Sequence, residues 1–244
     1  MTGASFNVVA HAACDIIGRV VILPLPPMDI ELARANMIES QIRTWDVLDQ
    51  RILDLVAVLR REQFVPAERR GLAFADMEIP IGHGEVMLAP KLEARLVQEL
   101  ALKPTDRVLE IGTGTGYTTA LLARLSAHVY SVEIIPEFLA AAAGRLAACG
   151  IDNVTLEQGD GATGWSRHAP YDAILLTGSV PELPEEFARQ LAPGGRLLAV
   201  VGREPIMTAR LTTCVSAGAF STQGLFETSI PPLRHARETG RFVF

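Results

Sequence analysis

The chain has 244 residues, 49% of them hydrophobic and 20% charged, with a formal net charge of −6. That balance describes a soluble globular chain with a sizeable core, and it argues against a nucleic-acid partner, because a phosphate-binding face must be basic. Three cysteines, Cys14, Cys149 and Cys214, have no paired metal-ligand spacing and make no disulfide framework. The expectation is a chain without a metal site, in a reducing cytoplasm.

Residues 1–27 stand apart. The stretch VVAHAACDIIGRVVILPLPP is apolar but interrupted by His11, Asp15 and Arg19. It is too broken for a membrane span and lacks the basic start of a secretory signal. It reads as an extension of uncertain order, and residues 28–244 as one domain, with helices and a covering loop over 28–103 and a core over 104–244.

From Asp29 the pattern is helical, with Leu32, Met37, Ile38, Ile42 and Trp45 falling on one face. A second helix is expected over 50–59, before Pro66. The 70s and 80s are irregular and rich in Gly and Pro. Pro90 then opens a helix whose buried stripe is Leu92, Leu96, Val97 and Leu100. From Asp106 short apolar strands alternate with helices: RVLEI, a helix from Tyr117 to Leu125, HVYSVE, a helix from Glu137 to Ala148, NVTLEQ and YDAILLT. A helix over 185–191 leads to the turn PGG and the strand RLLAVVG, and two further strands, TARLTTCV and GLFETSI, follow. Such alternation predicts an α/β fold, doubly wound around a mostly parallel seven-stranded sheet, with an N-terminal helical addition.

The stretch RVLEIGTGTGYTT carries the most information. Gly112, Gly114 and Gly116 alternate with Thr113 and Thr115 between a strand and a helix. Glycines there allow a tight turn and close approach of a ligand, and the helix start offers free N–H groups. A dinucleotide loop would need its third glycine where Tyr117 stands. An acid followed by Gly-x-Gly-x-Gly instead fits the first motif of S-adenosylmethionine-dependent methyltransferases. Glu110 would then reach the methionine end of the cofactor, directly or through water. Glu133, with Ile134 after it, ends the second strand where a carboxylate can accept both ribose hydroxyls. Asp160 and Gly161 follow the third strand, at the adenine position of this fold, and Thr177 ends the fourth beside the crevice. Each feature also has a plain structural reading: a ligand-free glycine turn, a solvated strand-end acid, an ordinary Asp-Gly turn.

Taken with MIESQIRTWDVLD, FVPAERRGLAFAD, IPIGHGE, DRVLEIGTGTGYTTALLARL, VYSVE, NVTLEQGDGATGW and LAPGGRLLAVVG, residues from about Asp29 to Gly202 resemble the protein-L-isoaspartate O-methyltransferases. The resemblance implies a methyltransferase sheet, S-adenosylmethionine as cofactor, and methylation of the α-carboxylate of L-isoaspartyl residues in damaged proteins or peptides. The last 40 residues match that family less well. The covering loop departs from it. Where the family continues Gln-Thr-x-Ser-x-Pro, this chain has Glu85, Val86, Met87, Leu88, Ala89 and Pro90, so the hydroxyls thought to orient cofactor and acceptor are missing, with Leu88 at the serine position. His83 reads either as a substrate contact or as packing in a turn. Three alternatives stay open: an isoaspartyl-type enzyme acting on another carboxylate or a specific peptide, a non-catalytic cofactor-binding or interaction protein, and, disfavoured by Tyr117, a nicotinamide-dependent oxidoreductase. The sequence sets no oligomeric state.

Overall fold

The apolar runs expected as strands assemble into one sheet. In this computed structural model residues 29–237 are described, together with the backbone of a short antiparallel pair, β1 (Ala12–Cys14) and β2 (Val20–Ile22). Otherwise the expectations for residues 1–27 lie outside the described residues.

A hairpin of β3 (Ile79–Gly82) and β4 (Glu85–Met87) precedes the main sheet. The main strands are β5 (Arg107–Ile111), β6 (His128–Glu133), β7 (Val154–Gln158), β8 (Tyr171–Leu176), β9 (Leu191–Arg203), β10 (Ile206–Ser216) and β11 (Ala219–Thr228). Their spatial order is β11-β10-β9-β8-β5-β6-β7. Strands β5 to β9 pair in parallel, and β10 and β11 run antiparallel. Only two residues link β9 to β10 and β10 to β11, too few for a parallel crossover. The seven-stranded, mostly parallel α/β sheet expected from the sequence is thus observed.

Chain order reverses between β5 and β8. From β5 the chain proceeds outward through β6 and β7, then returns to β8 on the other flank. A crevice opens at the carboxyl ends of strands at such a point.

Side chains alternate across the sheet. Val108, Ala173 and Leu175 face the helical layer built from α1 (Ile30–Met37), α2 (Gln50–Val58), α3 (Pro90–Glu99) and α4 (Tyr117–Leu125). Leu109, Ile111, Ile174 and Leu176 face the opposite cluster with Phe187 of the short α6 (Glu185–Arg189). Helix α5 (Pro136–Ala148) lies against β6 and β7.

The first helix differs from its expected stripe. Leu32 is 57% exposed, while Arg34 is buried and paired with Glu31 and Glu62. The α-helix ends at Met37 and continues as a wide π turn over Ile38–Ile42. At about 100° per residue Leu32 stands about 200° round α1 from Arg34, on the opposite face, whereas Arg34, Met37, Ile38 and Ile42 follow one another at helical spacing and point inward. The stripe of α3 is as expected, with Leu92, Leu96, Val97 and Leu100 all buried.

Candidate functional site

The glycine loop follows β5 with all three glycines at positive φ: 98° at Gly112, 51° at Gly114 and 86° at Gly116. At Gly112 the requirement is double, because a Cβ would also lie 2.2 Å from Thr177 Oγ1. The Thr177 hydroxyl sits 2.9 Å from the Ile111 carbonyl and 2.8 Å from that of Gly112, tying the loop to the end of β8. Gly116 caps α4, and a Cβ there would meet Ala142 of α5 at 3.0 Å.

Glu133 ends β6 and is 5% exposed. Its Oε2 accepts the Gly114 N–H at 2.8 Å and its Oε1 the Ile135 N–H at 2.9 Å. A carboxylate accepts about four hydrogen bonds, so each oxygen retains capacity toward the crevice. Asp160, beyond β7, accepts the Ala162 N–H at Oδ1 (3.0 Å) and the His235 ring at Oδ2 (2.8 Å). Burial pushes the Asp160 carboxyl up, but the Ala162 N–H and the His235 ring together outweigh it and hold the group below its ordinary value.

One crevice gathers most of the expected residues. Gly112, Gly114, Glu133, Ile134, Asp160, Gly161 and Thr177 line it from the strand ends, and Glu85, Val86 and Leu88 line it from the β3–β4 hairpin. Seven residues singled out in the sequence stand elsewhere. Glu110 is fully buried, because alternation along β5 turns it to the α4 side. There its Oε2 accepts the hydroxyls of Thr119 and Ser131, both at 2.5 Å, and its Oε1 has no hydrogen-bond partner. Burial pushes this carboxyl up to about 8, against the pull of the two hydroxyls. Thr113 bonds the Ser131 hydroxyl at 2.6 Å behind the loop, and Gly116 serves the helix start. Tyr117 points into the helical layer, with the Arg61 guanidinium 4.9 Å from its ring and Phe64 edge-on to it. Met87 is buried in the core, and Pro90 is the buried first residue of α3. His83 occupies the hairpin turn at φ 53°, its ring edge-on to Phe138 at 5.3 Å.

A strap that no sequence motif marks closes the crevice. After β11 the chain turns back over the strand ends. Ser179 N–H donates to the Pro231 carbonyl, and Leu233 N–H to the Ser179 carbonyl, both at 2.9 Å. Leu233 packs over Gly112 and Gly178. Arg234 Nε donates to Glu85 Oε1 at 2.6 Å, and its Nη2 donates to the His83 carbonyl. The dipeptide Pro231-Pro232 marks the end of the last strand, but nothing local says where the chain goes next. Ile135 and Phe138, at the start of α5, also line the crevice.

Among the described residues no helix is long and apolar enough to cross a membrane. The family model described as Protein-L-isoaspartate(D-aspartate) O-methyltransferase (PCMT) matches residues 33–223, ending before the strap. The chain is 42% identical over 191 residues to the protein-L-isoaspartate O-methyltransferase of Anaeromyxobacter dehalogenans (strain 2CP-C), covering 78% of this chain and 91% of that one. With the same-named protein of Myxococcus xanthus (strain DK1622) it shares 46% identity over 156 residues, 64% of this chain and 74% of the other. A solved protein-L-isoaspartate O-methyltransferase superposes with a TM-score of 0.71 at 27% identity, over 82% of this chain and 65% of that one. A Plasmodium falciparum protein described as a protein-L-isoaspartate O-methyltransferase, in complex with S-adenosyl-L-homocysteine, shares the fold with a TM-score of 0.71 at 19% identity, over 85% and 99% of the two chains. On the family match and these identities, the chain belongs to the protein-L-isoaspartate(D-aspartate) O-methyltransferase family.

Proposed function

We propose that this chain is a cytoplasmic S-adenosylmethionine-dependent methyltransferase that esterifies the α-carboxylate of L-isoaspartyl residues in proteins or peptides. The observation that carries this reading is the single crevice in which the glycine loop, Glu133 and Asp160 meet beneath the β3–β4 hairpin. Its chemistry suits an adenosine: two carboxylates, each with spare lone pairs, face a ligand with two ribose hydroxyls and an amine to donate. At Gly112 the loop lies against Thr177 with no room for a side chain, which leaves bare backbone toward the ligand. We assign Glu133 to the ribose, Asp160 to the adenine amine, and Gly112 and Gly114 to the cofactor's close approach. Residues 28–244 are taken as the catalytic unit, with 1–27 as an extension.

The bound cofactor supplies an electrophilic methyl carbon on a sulfonium, so the acceptor needs only an ionised oxygen held in line with it. A carboxylate is ionised at neutral pH, and no general base is required. The work of this chain is alignment and exclusion of water. The hairpin and strap do the excluding, with Ile81, Val86, Leu88 and Leu233 forming an apolar wall.

Val86 and Leu88 both line the crevice and bring no hydroxyl to it. That favours a second reading in which the same chemistry serves another carboxylate or a specific peptide. Transfer of labelled methyl to matched isoaspartyl and aspartyl peptides separates the two. Base-labile label on the isoaspartyl peptide alone is expected. A folded protein that binds S-adenosylhomocysteine and labels neither peptide would overturn the first reading.

A further inference from the structure

We propose that Arg234, carried to the crevice by the strap, binds the acceptor's carboxylate. The inference rests on the reading above and assigns the residue that recognises the anionic group. Among the described residues that line the crevice, Arg234 is the one cation; the other charged groups there are Glu85, Glu133 and Asp160. An anionic acceptor entering this site would meet three carboxylates and an apolar wall, and bringing an unpaired carboxylate into such surroundings is costly.

The guanidinium is already held in place. Nε is bound to Glu85 and Nη2 to the His83 carbonyl, so two of its five N–H donors are engaged and three remain. Glu85 therefore does not simply repel the substrate: its charge is answered by Arg234 and fixes the fork's orientation. Val86 and Leu88, on the same wall, offer no donor. The strap lies beyond the span matched by the family model, so the donor is supplied by a part of this chain outside that match.

The chemistry fixes which kinetic constant responds. As a carboxylate oxygen forms the new bond to the methyl carbon, the carbon–sulfur electron pair returns to sulfur and the acceptor's negative charge disappears. A guanidinium–carboxylate contact is then stronger before the transfer than during it. It holds substrate without accelerating the step, and it weakens toward the neutral ester. The cofactor's own amino-acid carboxylate is the competing anion, and the test separates the two.

The experiment compares the unaltered protein, Arg234→Gln and Arg234→Lys. Three measurements are made: affinity for S-adenosylhomocysteine, KM and kcat for an isoaspartyl peptide, and affinity of the S-adenosylhomocysteine complex for that peptide against its α-carboxamide twin. Arg234→Gln should raise KM about tenfold or more. It should leave kcat within about threefold and cofactor-product affinity unchanged, and abolish the preference for carboxylate over carboxamide. Arg234→Lys, which keeps the charge but not the fork, should retain part of that preference. The preference persisting in Arg234→Gln would overturn the proposal. So would a loss of S-adenosylhomocysteine affinity with the preference intact, which would assign the guanidinium to the cofactor. Absence of isoaspartyl turnover by the unaltered protein would overturn the functional reading itself, and the proposal with it.

Discussion

Two glutamates at the ends of neighbouring strands have opposite environments, and each gives a prediction. Glu133 accepts two backbone N–H groups and faces the crevice. Glu133→Ala should weaken S-adenosylhomocysteine binding by about 1–3 kcal/mol in calorimetry, with Glu133→Gln losing less because it keeps one acceptor oxygen. Equal affinity in all three proteins would reassign Glu133 to holding the loop. Glu110 is fully buried with its carboxyl pushed up to about 8 by burial. Its native pKa lies above the unfolded value, so the native state binds more protons between the two. The stability this contributes is full below about pH 4.5 and is lost as pH rises toward about 8. Glu110→Gln cannot ionise. Its melting temperature relative to the parent should therefore climb between pH 5 and pH 8 and level off above that. A difference constant across this range would contradict the buried, protonated carboxyl.

At the scale of elements, the β3–β4 hairpin brings to the crevice what the sheet lacks. Pro80 pairs with Val86 and Ile79 with Met87, and Met87 anchors the hairpin in the core. Val86 and Leu88 line the crevice on either side of that anchor. Restoring hydroxyls there by Val86→Thr with Leu88→Ser should increase isoaspartyl turnover, because small gains in alignment matter steeply: about one ångström of misplacement can cost on the order of a hundredfold. The two positions share one wall, so their effects should not simply add. Single-turnover rates for the two single variants and the double variant test this. An unchanged rate in the double variant would make the replacements a matter of packing.

At the scale of the molecule, the helical layer and the sheet share one hydrophobic cluster running from Met37 to Ile230. A buried cation secures it. Arg61 is 1% exposed and pairs with Glu93 of α3. It also donates to the carbonyls of Ala73 at 2.8 Å and of Leu88 at 2.7 Å, so the layer holds the hairpin's crevice residue through its backbone. Arg61→Met should cost about 3–5 kcal/mol in urea unfolding, because Glu93 would be left buried without its partner. Arg61→Met combined with Glu93→Leu should cost less than Arg61→Met alone. A greater loss in the double variant would place the importance in packing rather than in the uncompensated charge.

Local chemistry determined much of this protein. Alternation of apolar strands and helices set the sheet, with β5 to β8, β10 and α3 to α5 within two residues of where the periodicity put them, while β9 takes in the expected PGG turn and β9 and β11 each begin five residues earlier than expected. The order acid, glycine loop, Glu133 and Asp160 placed the crevice at the strand ends, since a parallel sheet exposes its loops there. Three things were decided only by tertiary structure. Glu110 faces inward because of its parity on β5 and the hydroxyls of Thr119 and Ser131, which come from two other elements. Leu32 lies outside because its helix buries the face of Arg34 and Met37 instead, with Arg34 paired to Glu62 from another element. The strap returns over the crevice because Ser179 offers it backbone partners and Gly112 and Gly178 leave room for Leu233. Those contacts join residues more than fifty positions apart. Local periodicity reports the face of one element and carries no record of what will later fold back onto it.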